Sequence, residues 1–331
     1  MSPGGLTLAV MQIHPMIEDT AALTALCARL AKSDFVAIDT EFMRENTFWP
    51  DLCLIQIADA NEAAAIDPKA PGLDMTCLLD LMTANEDVLK VFHAGGQDIE
   101  IVYNLTGRTP HPLFDTQVAA MALGQGEDRQ AMVEGLGAGL AQVAKGDAEP
   151  IDKGARFTDW GRRPLDKRQI DYAIGDVTHL AKIFPRMLEK LVKTGRGEWL
   201  DQEMERLADT AHYAQEPSEA WKRVKVASRK PDVLGRLRAL AAWREHEARQ
   251  KNIPRGRIVK DETLADLAGN PPRAQADLSK VRGLSPSWAG NDIGARMIAA
   301  LSNAGPMPAD LMPPREQMIR NTLKREGFWI R

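Results

Sequence analysis

Apolar residues in the first two thirds of the chain come in short runs separated by polar turns, the pattern of buried strands alternating with helices. Phe35-Val36-Ala37-Ile38 reads as a buried strand. Leu52-Cys53-Leu54-Ile55-Gln56-Ile57 and Ala63-Ala64-Ala65-Ile66 follow, parted by the polar stretch Asp59-Ala60-Asn61-Glu62. Three strands this close predict an antiparallel meander. A helix is expected over 76–83, then a buried strand at Val88-Leu89-Lys90-Val91-Phe92. Gly95-Gly96 breaks the pattern, and a helix begins near Asp98. Pro112-Leu113-Phe114 predicts a short strand, with Asp115 placed to cap the next helix. Residues 124–156 are rich in glycine and polar residues, and helices are expected there. A long helix starts after Pro164, with Asp166 as its N-cap, and runs to about Lys193. Strands alternating with helices predict an α/β fold with a mixed sheet.

The pattern changes after residue 213. Residues 214–232 are polar and basic, carry Pro217 and Pro231, and read as a linker. Residues 233–305 read as all-helical, over Leu234 to Ala248, Thr263 to Ala268, Ala274 to Val281 and Asn291 to Ser302. The expected organisation is an α/β domain over 1–213, a linker over 214–232 and a smaller all-helical domain over 233–305. Residues 306–331, with four prolines before one short helix, read as a tail or the remnant of a second helical domain.

Composition narrows the class. The 331 residues are 44% hydrophobic and 27% charged, ordinary for a soluble globular protein. No apolar run approaches the ~20 residues of a membrane span, and the first residues lack the basic and apolar regions of a signal peptide. Cys27, Cys53 and Cys77 show no metal-binding spacing and suit reduced thiols in a cytoplasmic protein. The net charge of −4 hides an asymmetry. Residues 1–70 hold ten Asp/Glu against four Lys/Arg, whereas residues 221–260 hold thirteen Lys/Arg against three acids. An acidic front and a basic back suit a metal site together with a polyanion-binding surface. A solvated basic helix face is the plainer alternative.

The candidate chemistry starts at Asp39-Thr40-Glu41, the end of the first strong apolar run. Strand side chains alternate, so Asp39 and Glu41 share a face. Two carboxylates side by side on a buried strand repel each other and resist burial, and the usual remedy is a divalent cation. Asp98 follows a strand and a Gly-Gly turn and can reach a sheet end; it could equally cap its helix. Asp176 lies on the long helix with Tyr172 one turn earlier, so phenol and carboxylate point together. Taken singly, Tyr172 could be core packing and Asp176 a solvated charge. Jointly, four carboxylates around two cations match two-metal phosphodiester hydrolysis, with a tyrosine hydroxyl in reach of the attacking water.

Three segments carry a resemblance. Val36-Ala37-Ile38-Asp39-Thr40-Glu41-Phe42, His93-Ala94-Gly95-Gly96-Gln97-Asp98 and Asp171-Tyr172-Ala173-Ile174-Gly175-Asp176 are similar to the three exonuclease motifs of the DEDD superfamily of 3′→5′ exonucleases. The Tyr-x3-Asp spacing marks the tyrosine type; the position five before Asp176 is Asp171, not the histidine of the other type. Within that type the chain resembles the ribonuclease D family, with support from Phe114-Asp115-Thr116-Gln117, Ile151-Asp152-Lys153, Phe157-Thr158-Asp159-Trp160 and Arg163-Pro164-Leu165. The segment from about 230 to 305 resembles an HRDC domain, a helical nucleic-acid-binding module. Its cues are Leu240-Ala241-Ala242-Trp243-Arg244, Ile253-Pro254, Asp261-Glu262-Thr263-Leu264 and Val281-Arg282-Gly283-Leu284.

The resemblance implies a ribonuclease H-like fold in which Asp39, Glu41, Asp98 and Asp176 bind two divalent ions, Mg²⁺ or Mn²⁺, with Asp39 bridging both. It implies that Tyr172 positions the water, and that Phe42 stacks on the terminal bases while His93 also contacts the nucleic acid. Arg236, Arg244, Arg255 and Arg257 are the candidate RNA contacts of the helical domain. The implied reaction removes single 5′-nucleotides from RNA 3′ ends, as in trimming the trailers of precursor tRNA and other small structured RNAs. No organic cofactor and no membrane partner is expected, and a monomer is the default. Two features depart from the family pattern: a longer stretch over 135–150, and Gly154 where serine often follows Asp-Lys. A DNA 3′→5′ exonuclease shares the same carboxylates, and a non-catalytic RNA-binding scaffold would use only the basic segment.

Overall fold

The computed structural model describes residues 11–123, 158–195 and 197–313. These residues fall into two compact units that divide after Ala214, with Glu45–Trp49 clustering with the second.

The first unit is a six-stranded mixed sheet with helices packed on it. Its elements are β1 (Gln12–Ile13), α1 (Thr20–Leu30), β2 (Phe35–Met43), β3 (Asp51–Ala58), β4 (Glu62–Ile66), α2 (Thr76–Thr83), β5 (Leu89–Phe92), α3 (Gly96–Thr106), β6 (Leu113–Asp115) and α4 (Thr116–Ala122), followed by α5 (Lys167–Thr194) and α6 (Gly197–Ala208). Strand order is β1-β4-β3-β2-β5-β6. β2, β3 and β4 form the expected antiparallel meander, while β5 runs parallel to β2 and to β6. The expected mixed sheet is therefore present. The helices expected over 124–156 lie outside the described residues.

Local chemistry sets the elements that matter for the site. α5 starts at the capping box of Asp166 and Gln169: the Gln169 N–H donates to Asp166 at 2.8 Å and Gln169 Oε1 accepts from the Asp166 N–H at 3.0 Å. It ends at Gly195, whose φ of 66° is the left-handed conformation that stops a helix at least cost. Along α5, Ala173, Ile174, Val177, Leu180, Ala181 and Phe184 are buried at helical spacing, and this face lies across β2, β3, β4 and β5. The Phe184 ring packs between Phe35 and Phe114, with centroids 4.8 and 5.1 Å away.

The turn into α3 is equally constrained. Asp115 caps α4 through the Gln117 N–H at 2.8 Å and also accepts from the Gly95 N–H at 2.8 Å, which ties the 94–95 turn to the neighbouring helix start. A Cβ at Gly95 would sit 2.5 Å from the Phe92 Cβ, so no larger residue fits where the chain passes over the end of β5. Arg44, just past β2, makes two 2.8 Å bonds to Glu100 on α3 and anchors that helix to the strand.

The second unit is helical: α7 (Pro231–Lys251), α8 (Arg255–Ile258), α9 (Asp261–Gly269) and α10 (Asp292–Ser302), with 3₁₀ turns between. Two expectations change here. Residues 275–280 form a 3₁₀ helix rather than an α-helix. Residues 217–223 are a 3₁₀ segment whose Ala220 and Trp221 are buried in the unit's core, so the stretch read as a linker is largely part of that unit. Its polar, basic composition masked the apolar anchors Trp221 and Val224, each nearly fully buried.

Candidate active site

Asp39 and Glu41 lie on β2 with their side chains on one face, opposite Gln56 and Leu54 of β3 respectively. α5, packed across that face, contributes Asp176. One carboxylate oxygen from each of Asp39, Glu41 and Asp176 lies within 4.8 Å of the others. These groups are on two elements far apart in sequence, and the packing of α5 on the sheet brings them together. Burial pushes the Asp39 pKa well above the usual carboxylate range, and the nearby Asp98, Asp176 and Glu41 push it further. A group of acids that cannot all hold their charge without help is the donor set of a hard divalent cation. Asp39, Glu41 and Asp176 could hold one.

Asp98 lies in the first turn of α3 and is buried. It does not cap the helix, since Gly95 holds that position. Its carboxyl accepts a short hydrogen bond from the Thr40 hydroxyl. Burial raises its pKa to about 6 against the bond from Thr40, which favours the charged form. Asp98 is thus close enough to act on Asp39 electrostatically, yet its oxygens are outside the group formed by the other three. Thr40, between the two motif acids, is a contact that the alternation of β2 does not foretell.

Tyr172 is half-buried beside Asp176. Its hydroxyl is hydrogen-bonded to that carboxylate, and burial together with the charges of Asp176, Glu41 and Asp39 pushes its pKa up. The phenol stays protonated and remains a donor at any ordinary pH. The buried Trp160 ring packs 6.3 Å from the Tyr172 ring. Phe42 follows Glu41 at the β-bulge of β2 and is half-exposed.

His93 Nδ1 lies 2.9 Å from the Thr116 hydroxyl, which itself donates to the Phe92 carbonyl at 3.0 Å. The single threonine proton being so used, His93 Nδ1 carries the hydrogen and donates. Burial holds the imidazole below its ordinary pKa, so the ring is neutral with Nε2 as an acceptor.

The four candidate arginines of the helical unit, Arg236, Arg244, Arg255 and Arg257, are engaged internally. Arg244 is only 4% exposed, and its Nη1 donates to the Val259 carbonyl at 2.8 Å and to Asp261 at 2.7 Å. Its place as an RNA contact is corrected: the guanidinium braces α7 against α9. Arg255 binds Glu245 at 2.5 and 2.8 Å and lies over the Phe48 ring, 4.6 Å from its centre. Arg236 donates to the Ala268 carbonyl at 2.7 Å, and Arg257, which is exposed, bonds to Asn46. Much of the basic surplus of this segment neutralises Glu245 and Glu247, which are 1% and 3% exposed and are surrounded by Arg223, Arg249, Arg255, Lys251 and Arg296. Burying such acids without partners would cost several kcal/mol each, roughly 3–5 when one member of a pair is lost.

The 3′-5′ exonuclease family model matches residues 15–192, and the HRDC domain model matches residues 233–301. The chain is 67% identical over 320 residues to ribonuclease D of Sphingobium indicum, covering 97% of this chain and 80% of that protein. It is 62% identical over 305 residues to ribonuclease D of Zymomonas mobilis, covering 92% of this chain and 76% of that one. Among solved structures, the crystal structure of Escherichia coli RNase D, described as an exoribonuclease involved in structured RNA processing, superposes with a TM-score of 0.75 at 26% identity, over 96% of this chain and 86% of that one. With an exonuclease domain followed by an HRDC domain, and relatives this similar along nearly its whole length, the chain belongs to the ribonuclease D family.

Proposed function

We propose that this protein is a metal-dependent 3′→5′ exoribonuclease that releases 5′-mononucleotides and trims the 3′ trailers of precursor tRNA and other small structured RNAs. The observation that carries the reading is the convergence of Asp39, Glu41 and Asp176 within 4.8 Å, beside the buried Asp98. Membership of the ribonuclease D family and the likeness to the E. coli enzyme support the choice of RNA.

Asp39, Glu41, Asp98 and Asp176 would hold two divalent ions, Mg²⁺ or Mn²⁺. When bound, such ions lower the pKa of water at the site and stabilise the leaving oxygen of the phosphodiester. The remaining work belongs to the chain. Tyr172, kept protonated, donates to the Asp176 carboxylate and orients the attacking water through its hydroxyl oxygen. Phe42 stacks on the terminal base, a contact that tolerates any base. His93 offers its Nε2 acceptor to a sugar hydroxyl, the group that distinguishes RNA from DNA. The HRDC domain adds affinity through exposed basic residues, Arg257 among them. No described helix is long and apolar enough to cross a membrane; the proposed setting is the cytoplasm and the proposed state a monomer.

The test is a 5′-labelled precursor tRNA with a short 3′ trailer, incubated with the protein and Mg²⁺ or Mn²⁺, with EDTA and a matched DNA oligonucleotide as controls. A one-nucleotide ladder shrinking from the 3′ end, lost with EDTA and absent on DNA, is expected. Equal digestion of DNA refutes the RNA assignment, and tight binding without digestion refutes the enzyme.

A further inference from the structure

Gln56 is out of character with its strand. It sits in the middle of β3, apolar from Leu52 to Ala58 apart from this one residue, and it is 0% exposed. Neither its Nε2 nor its Oε1 has a hydrogen-bond partner among the described residues. An interior amide left without partners costs about 1–3 kcal/mol. A methionine or leucine would fill the same volume without that cost, so packing alone gives no reason for the amide.

The register of the sheet supplies one. Gln56 is the antiparallel partner of Asp39, and directly opposed residues project from the same face with Cβ atoms about 4.5–5.5 Å apart. Its partner on the other side is Ala65 of β4, a methyl that offers nothing to an amide. Across the face lies α5, whose Ala173, Ile174 and Val177 are buried and apolar. The Asp39 carboxyl, directly opposite in the register, is the nearest polar neighbour along the sheet, with Asp176 of α5 beyond it.

Among the described residues the Asp39 carboxyl has the Thr40 backbone N–H as a donor, with the acids Asp98, Asp176 and Glu41 crowding it. A carboxylate that uses one oxygen as a metal ligand keeps lone pairs on the other, and these need donors to fix the rotamer. We propose that, when the cation is bound, Gln56 Nε2 swings to donate to an Asp39 carboxylate oxygen, a bond not made in this structure, and so holds Asp39 in its ligating orientation. Gln56 is then a positioning residue. This rests on the reading of Asp39 as a cation ligand.

The experiment compares Mn²⁺ binding by the full chain and by Gln56→Met, with free Mn²⁺ followed by electron paramagnetic resonance, and with the metal-free melting temperature of each. Loss of a residue that orients a metal ligand typically weakens binding by about 10–100-fold. The expected result is a dissociation constant at least about tenfold higher for Gln56→Met, with a metal-free melting temperature equal to or above that of the parent. A constant within about twofold of the parent overturns the proposal. Absence of Mn²⁺ binding by the parent chain overturns the metal reading itself and this inference with it. A crystal structure of the unaltered Mn²⁺-loaded chain makes the test independent of how the variant folds. Nε2 within about 3.2 Å of an Asp39 oxygen is expected, and an amide turned away from Asp39 overturns the proposal.

Discussion

Replacing Asp98 by asparagine should stabilise the metal-free protein, and by an amount that depends on pH. Burial lifts the Asp98 pKa from 3.8 to about 6. A carboxyl with a raised pKa contributes its full share of stability below the unfolded value, where it is protonated in both states. That share is lost as pH rises through the folded value. Each tenfold change in proton affinity is worth about 1.4 kcal/mol, so the loss at pH 8 is about 3 kcal/mol. At pH 4.5 the unfolded group is mostly ionised and the folded one mostly protonated, and the loss is only about 1 kcal/mol. Asparagine keeps an oxygen to accept the Thr40 hydroxyl and carries no charge to bury. Asp98→Asn is therefore expected to gain about 3 kcal/mol at pH 8 and about 1 kcal/mol at pH 4.5, as upper values. The assay is urea unfolding in EDTA at both pH values, followed by the same experiment in saturating Mg²⁺. Added cation should favour the parent and largely erase the difference, because binding to the folded state alone stabilises it. A variant that is destabilised at pH 8, or that gains equally at both pH values, would refute the claim that this carboxyl is held reluctant to ionise.

Other consequences follow from the same geometry. Asp39→Ala should abolish cleavage in the 3′ ladder assay while leaving RNA affinity, read by gel shift, within about threefold, since the large electrostatic share of affinity lies outside this group. Tyr172→Phe should lower kcat by about 10- to 100-fold with little change in KM, because the hydroxyl acts on the water and not on ground-state binding; a rise in KM alone would count against that role. Arg244→Ala should cost roughly 1–3 kcal/mol in the stability of the helical unit by leaving the Val259 carbonyl unpaired. The salt dependence of RNA binding should be unchanged, and a shallower slope would mean that Arg244 meets phosphate after all.

Much of the first unit was legible in sequence because its signals are local. Alternation over Phe35–Phe42 put Asp39 and Glu41 on one face, and β2 keeps that geometry. The caps also held: Asp166 and Asp115 are the N-caps expected of them, since a cap is chemistry between residues two or three apart. The one-turn spacing of Tyr172 and Asp176 needed only a helix, and their hydroxyl–carboxylate bond follows from it. The Gln56 anomaly was visible as one amide in an apolar run, but its meaning was not.

The chain by itself determined the central strands of the sheet, the start of the long helix at Asp166 and which side chains of β2 share a face, because those depend on neighbours along the backbone. Only the tertiary structure decided that Asp176 of α5 meets Asp39 and Glu41 of β2, that Asp98 bonds to Thr40, and that Gln56 stands opposite Asp39. It also decided that Arg223, Arg236, Arg238, Arg244, Arg249, Lys251 and Arg255 of the basic 221–260 segment bind buried acids or carbonyls, and that Trp221 belongs to a core. Charge counts and hydropathy record what a residue is. Which group it faces depends on the docking of α5 on the sheet and on strand register, and those contacts join residues tens to more than a hundred positions apart.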